Sequence, residues 1–283
     1  MRFLSLQSHV AYGYVGNRAA TFPLQRLGHE VWAVNTVEFS NHTGYGAWKG
    51  RTASAEQVAD IVQGIEALGM LAKCDALLTG YVGDAALGDV VLQTAHKVRM
   101  ANPAAIWCCD PVLGDTDTGI YVKPGIDTFF KERAIPRADL ITPNHFELEH
   151  LTGRTVGTIA EALEATRSLL KGPRLALVTS LRRFDAPVDR IEMLAVSHHA
   201  AWRIETPLIE FEVMPNGTGD TVSALFTAHW LATDDVPTAL SRAASSVYAV
   251  LEKTREMGER ELQLVAAQDC LLSPPRRFTA EKL

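Results

Sequence analysis

Cysteine is scarce in this 283-residue chain: Cys74, Cys108, Cys109 and Cys270, with no CxxC pair among them. That excludes a zinc knuckle or disulfide framework, and the thiols read as small buried hydrophobes in a reducing compartment. Cys108 and Cys109, as neighbours on a strand, are expected to point to opposite faces. Basic residues are also in deficit, 27 against 33 acidic ones, and the resulting charge of −6 argues against a nucleic-acid backbone as partner. No apolar run reaches the length needed to cross a bilayer. The N-terminal MRFLSLQSHVAYG lacks the apolar core and cleavage site of a secretion signal. A soluble cytoplasmic protein without a membrane partner is therefore expected. The common nucleotide fingerprints are missing too. There is no G-x-x-x-x-G-K-[ST], and the first strand is followed only by Gly13 and Gly16, a G-x-x-G where a dinucleotide fold has G-x-G-x-x-G. With no repeat, low-complexity tract or linker, residues 1–283 are expected to form a single domain around one large core.

What is present is an alternation of short apolar runs with amphipathic stretches. Strands are expected at Phe3–Ser8, Val31–Phe39, Ala76–Tyr81, Ala105–Asp110, Ala138–Thr142 and Leu175–Thr179. Most are apolar throughout, the pattern of strands covered on both faces. Ser54–Leu68 reads as a helix capped by Ser54, with Ile61, Ile65 and Leu68 on its apolar face, and Thr158–Leu170 reads as another. This rhythm predicts an α/β fold with a mostly parallel central sheet and helices on both faces. Two more strands are expected over Met193–Pro207 and Leu208–Val213, then helices over Gly217–Leu231, Val236–Glu256 and Glu259–Gln268; the tail SPPRRFTAEKL is unassigned. Ligands of such sheets bind beyond the carboxyl ends of the strands. The polar clusters Ser8-His9, Asp110-Pro111, Thr142-Pro143-Asn144 and Thr179-Ser180 fall there.

The most informative segment is Met214-Pro215-Asn216-Gly217-Thr218-Gly219-Asp220. Two glycines two apart allow a sharp turn with bare amides, and the helix that follows points its positive end at the same place. Such a cradle suits the charge on a transferring phosphoryl group. Asp220, a poor neighbour for phosphate, makes sense there as the base for an attacking hydroxyl, although a capping aspartate is a common alternative. Asn144 and Glu147 sit one helical turn apart. They suit either a Mg²⁺ water shell or an ordinary capping box. Asp110 and Asp115 flank Pro111-Val112-Leu113-Gly114, and the following DTDTG is polar and turn-prone, either an active-site lid or an ordinary solvated loop. Gln7–Asn17 and Phe39–Gly46 offer hydroxyls, imidazoles and tyrosines suited to a small heteroaromatic ligand.

Taken in order, QSHVAYGYVGN, TVEFSNHTGYG, TGYVGD, CDPVLGD, TPNHFELE and GTGD resemble the pyridoxal kinase family of the ribokinase superfamily, nearly end to end. The resemblance implies a ribokinase-like fold and transfer of the γ-phosphate of ATP to the hydroxymethyl group of pyridoxal. It makes Asp220 the general base, with Gly217, Thr218 and Gly219 as the anion hole. Ser8, Val15, Thr43, Gly44 and Tyr81 would line the pyridine pocket. Asp110, Thr142, Asn144 and Glu147 would arrange the ATP phosphates, and Asp115 and Glu147 would serve Mg²⁺, with a monovalent cation as a further candidate. Thr179, Ser180, Thr206, Pro207, Leu208 and Ile209 would follow the nucleotide, Gly114–Tyr121 would be a lid, and the protein would be a homodimer. Two positions depart from some bacterial relatives: Thr179 replaces a lysine and Gly44 a glutamine. The rival readings are a hydroxymethylpyrimidine kinase, which shares MPNGTG but typically has cysteine at the position of Asp220, and a non-catalytic pyridoxal-binding protein.

Overall fold

The computed structural model describes residues 1–283. The chain begins with β1 (Arg2–Val10), α1 (Asn17–Arg26), β2 (Glu30–Phe39), β3 (Gly50–Thr52), α2 (Ala55–Ala67) and β4 (Ala76–Thr79). It continues through α3 (Leu87–Ala101), β5 (Ile106–Cys109), a two-strand hairpin of β6 (Gly114–Asp115) and β7 (Gly119–Ile120), and the short α4 (Ile126–Thr128). Then follow β8 (Leu140–Ile141), α5 (His145–Thr152), α6 (Ile159–Leu169), β9 (Leu175–Leu181), β10 (Arg190–Ser197) and β11 (Ala201–Pro207). The last elements are α7 (Thr218–Thr233), α8 (Val236–Met257) and β12 (Glu281–Lys282).

Ten strands form one sheet in the order β12-β11-β10-β9-β8-β5-β4-β1-β2-β3. The central six, β2 to β9, pair in parallel, and antiparallel strands finish both edges. The apolar runs are explained by burial on both faces. Phe3, Leu78, Ile106 and Leu140 pack with α1, α7 and α8, while Leu4, Leu77, Trp107 and Ile141 pack with α2, α3, α5 and α6. Cys108 and Cys109 divide between the two layers in the same way, free and buried. The strand order reverses between β1 and β4, so a crevice opens where their carboxyl ends diverge. No helix is long and apolar enough to cross a membrane.

Three expectations need correction. Leu208–Val213 is not a strand: the hairpin closes within Met193–Pro207, and the chain beyond Pro207 runs irregularly to the turn before α7. Glu259–Gln268 is a series of turns, because Leu262 and Leu264 both enter the core and their two-residue spacing does not follow a helical face. In α2, Ser54 caps Gln57 N–H as expected, but Val58 and Val62 face the core, while Leu68 is 77% exposed. The unassigned tail supplies β12, which pairs with β11 at the sheet edge.

Candidate active site

The first turn of α7 builds the centre of the site. Gly217 has φ 83°, and a Cβ there would stand 1.8 Å from the carbonyl oxygen of Tyr14, so only glycine fits this approach. The first helical hydrogen bond runs from Thr221 N–H to Gly217 O at 3.0 Å. The amides of Thr218, Gly219 and Asp220 therefore precede the helical ladder, and the space beside Gly219 is open. The same turn fixes Asp220, whose carboxylate accepts the Gly16 N–H at 2.8 Å. Gly16 in turn lies so close to Ser8 that a Cβ would meet its Oγ at 2.4 Å. Burial pushes the Asp220 carboxyl up to about 6, and the Gly16 hydrogen bond opposes that rise. The residue as a whole keeps partial solvent access, so the acid lies at the floor of an open recess.

Beside it lies a second acidic group. Asp110, at the end of β5, is buried and accepts a hydrogen bond from Ser223 Oγ at 3.2 Å, which also stands 2.9 Å from Thr142 Oγ1. Burial first, then Glu147 and Asp220, hold its carboxyl well above the usual range. Asn144 and Glu147 form the capping box of α5, with reciprocal bonds of 2.8 Å. Glu147 does more than cap: its other oxygen accepts Leu113 N–H at 2.9 Å, and Asn144 Nδ2 donates to Gly114 O at 2.8 Å. The pair thus anchors the base of the β6–β7 hairpin. Burial lifts Glu147 to about 7, against three backbone hydrogen bonds. Asp115 spends Oδ1 on the hairpin turn, accepting Asp117 N–H, Thr118 N–H and Thr118 Oγ1. None of Asp110, Asp115, Glu147 and Asp220 is among the chain's ion pairs.

On one side, Thr179, Ser180, Thr206, Pro207, Leu208 and Ile209 line one cleft together with Thr218 and Gly219. Ser180 has φ 53°, a left-handed conformation that turns the chain sharply near the end of β9. On the opposite side, Tyr81 follows β4 and its carbonyl accepts Thr36 Oγ1 at 2.8 Å. Val15 is buried beside Gly16, and Thr43 and Gly44 form a one-turn helix capped by His42 Nδ1. The residues singled out from the sequence thus lie at or just beyond the carboxyl ends of β1, β2, β4, β5, β8, β9 and β11, and in the first turn of α7. Sequence reasoning missed the Gly16 amide as the partner of Asp220, and Ser223 as the bridge between Asp110 and Thr142.

A bare-amide cradle beside a buried carboxylate, on a ribokinase-like α/β sheet, defines a phosphoryl-transfer enzyme with an alcohol as acceptor. The family model described as phosphomethylpyrimidine kinase matches residues 39–264. The chain is 55% identical to the pyridoxal kinase of Rubrobacter xylanophilus over 100% of its own length and 98% of that protein. It is 48% identical to the one of Deinococcus radiodurans over 99% and 96%. Among solved structures, pyridoxal kinase from Leishmania donovani in complex with ADP and pyridoxine superposes with a TM-score of 0.92 at 31% identity, covering 100% of this chain and 99% of that one. The chain belongs to the pyridoxal kinase family.

Proposed function

We propose that the protein phosphorylates pyridoxal, passing the γ-phosphate of ATP to the 5′-hydroxymethyl group, and acts likewise on pyridoxine and pyridoxamine. The observation that carries this reading is Asp220, a carboxylate raised to about 6 and held by Gly16 N–H at the edge of an amide cradle. A base is most useful when its pKa lies near the working pH, and Asp220 is mostly ionised at neutrality while still able to take a proton. It removes the proton of the hydroxymethyl oxygen as that oxygen attacks phosphorus. The amides of Thr218 and Gly219, with the positive end of α7, stabilise the charge on the transferring group. Ser8, Val15, Thr43, Gly44 and Tyr81 surround the pyridine ring; Thr142, Thr179, Ser180 and the Thr206–Ile209 stretch follow the nucleotide.

The donor set fits Mg²⁺. Glu147 and Asp110 are buried carboxylates, Asp115 is half-buried, and none of the three has a cationic partner. That suits a hard ion held through water and phosphate. Glu147 and Asp115 would hold it with Asp110 and Asn144 close by, and when bound it supplies neutralising charge to the phosphates. The homodimer and the cytoplasmic setting implied by the resemblance belong to the same reading; light scattering on the purified protein tests the first.

Hydroxymethylpyrimidine is the rival substrate, since the matching family model is described by a pyrimidine. Aspartate at position 220 and full-length pyridoxal kinase relatives favour pyridoxal. An ATP-consumption assay with each compound separates them. Turnover with pyridoxal at least tenfold above that with hydroxymethylpyrimidine is expected, and the reverse order would overturn the reading.

A further inference from the structure

The turns between α8 and the C-terminal tail reach the substrate side of the pocket. Leu262 and Leu264 enter the core, and Gln263 N–H donates to Thr254 Oγ1 at 3.0 Å, so this segment is fixed from behind. Glu261 is 5% exposed and spends both oxygens on the two pocket loops. Its Oε2 accepts Tyr14 N–H at 3.0 Å, and its Oε1 accepts the Tyr45 hydroxyl at 2.6 Å. Burial and the carboxylate raise the Tyr45 phenol, which keeps it a donor. Arg260 completes the contact: its guanidinium carbon lies 3.7 Å from the Tyr45 ring centroid, and its Nη2 donates to Gly44 O at 2.9 Å. The carboxylate also presses on Gly13, where a Cβ would stand 2.3 Å from Oε2.

These contacts converge on functional atoms. Tyr14 is two residues before Gly16, whose amide holds Asp220, and its carbonyl abuts Gly217. Tyr45 follows Thr43 and Gly44 directly. We infer that Glu261, with Arg260, is a positioning residue that clamps the Tyr12–Gly16 and His42–Gly46 loops together and so sets the substrate side of the pocket and the aim of Asp220. A buried carboxylate is an unusual choice for a purely structural tie, since burying it costs more than burying an amide. What it provides is two charge-assisted acceptors at a fixed separation.

This inference rests on the pyridoxal reading, and the test keeps the two apart. Wild type, Glu261→Ala, Glu261→Gln and Tyr45→Phe are compared as full-length protein for kcat, for KM of pyridoxal and of ATP, and for Tm. Glu261→Ala should raise the pyridoxal KM about tenfold or more, as expected for the loss of charged hydrogen bonds, with the ATP KM within about twofold. Glu261→Gln should recover most of this, because its amide oxygen can still accept Tyr14 N–H while its NH₂ donates to the Tyr45 oxygen. Tyr45→Phe removes one bond without unpairing a backbone group; it should give a smaller rise in the same KM with little change in Tm. That variant carries the test if the alanine variant does not fold. An unchanged ratio of the two KM values in Tyr45→Phe and Glu261→Ala, or a parallel rise in both, overturns the clamp. A wild type that leaves pyridoxal unphosphorylated overturns the proposed function instead, before any variant is made.

Discussion

Two of the three buried glutamates in this protein, Glu192 and Glu147, are buried in opposite ways. Glu192 on β10 is 1% exposed and meets Arg183 through bonds of 2.6 and 3.0 Å, with Arg203 at 3.2 Å. Glu147 on α5 is 3% exposed and has only backbone amides for partners. The first carries its own countercharge, and the hydrogen bond from Arg183 raises that guanidinium still further. The second shares its region with Asp110, Asp115 and Asp220; burial first, and then repulsion from these neighbours, raises the Asp110 and Glu147 carboxyls. A buried acid with built-in arginines is complete without a ligand. One without them would, on the proposed function, leave a place for a cation that arrives with the substrate.

The largest effect should come from the acidic side. Asp220→Asn should keep the fold and nucleotide binding yet lose roughly 10²–10⁴-fold in turnover, the usual contribution of a positioned base. Near wild-type turnover would place the base elsewhere. Next comes the arginine-bound acid. Glu192→Gln leaves two arginines facing a neutral group, and loss of a buried partner costs about 3–5 kcal/mol. A fall in Tm on the order of 10 °C is expected, with the Mg²⁺ titration of activity unmoved. Glu147→Gln should do the converse: about tenfold more Mg²⁺ for half-maximal rate, with pyridoxal KM little changed. If the magnesium titration is unaltered, Glu147 is a capping-box residue alone. The smallest effect concerns Asp110. Its raised carboxyl means that the neutral form suits the fold, so this stabilisation is complete below the ordinary range near 3.8 and is lost as pH rises through the folded value. In metal-free buffer, Asp110→Asn should therefore raise Tm by about 2–4 °C at pH 8, roughly 1 kcal/mol, and the gain should vanish toward pH 4. A gain that grows on acidification would contradict the uncompensated-charge picture.

The contrast also marks what could be read from the sequence. Glycines before a helix, and polar residues where apolar runs stop, are local signals, so Gly217–Asp220, Asp110, Thr142 and Asn144 were legible. The parallel sheet was legible because two-sided burial leaves strands without alternation. What could not be read depends on distant partners. Gly16 holds Asp220 from 204 residues away, and Glu261 reaches Tyr14 across 247. Neither carries a spacing of its own. Leu208–Val213 looked like a strand because Ile209, Phe211 and Val213 alternate with Glu210 and Glu212, yet no neighbour remains at that point of the sheet to pair with it. Ile61 and Leu68 looked like a core face because periodicity fixes which residues share a side, and tertiary packing decides which side is covered.

The central claim, that Asp220 is the base of a pyridoxal kinase, is tested most directly by the pH dependence of kcat/KM for pyridoxal at saturating ATP and Mg²⁺. This profile reports groups of the pyridoxal-free enzyme. The account predicts an acid limb with an apparent pKa of about 6 in the wild type, falling as pH drops and the carboxylate is protonated. In Asp220→Asn the limb should disappear, leaving a low, flat residual rate. An acid limb of the same position and depth in that variant would contradict the claim.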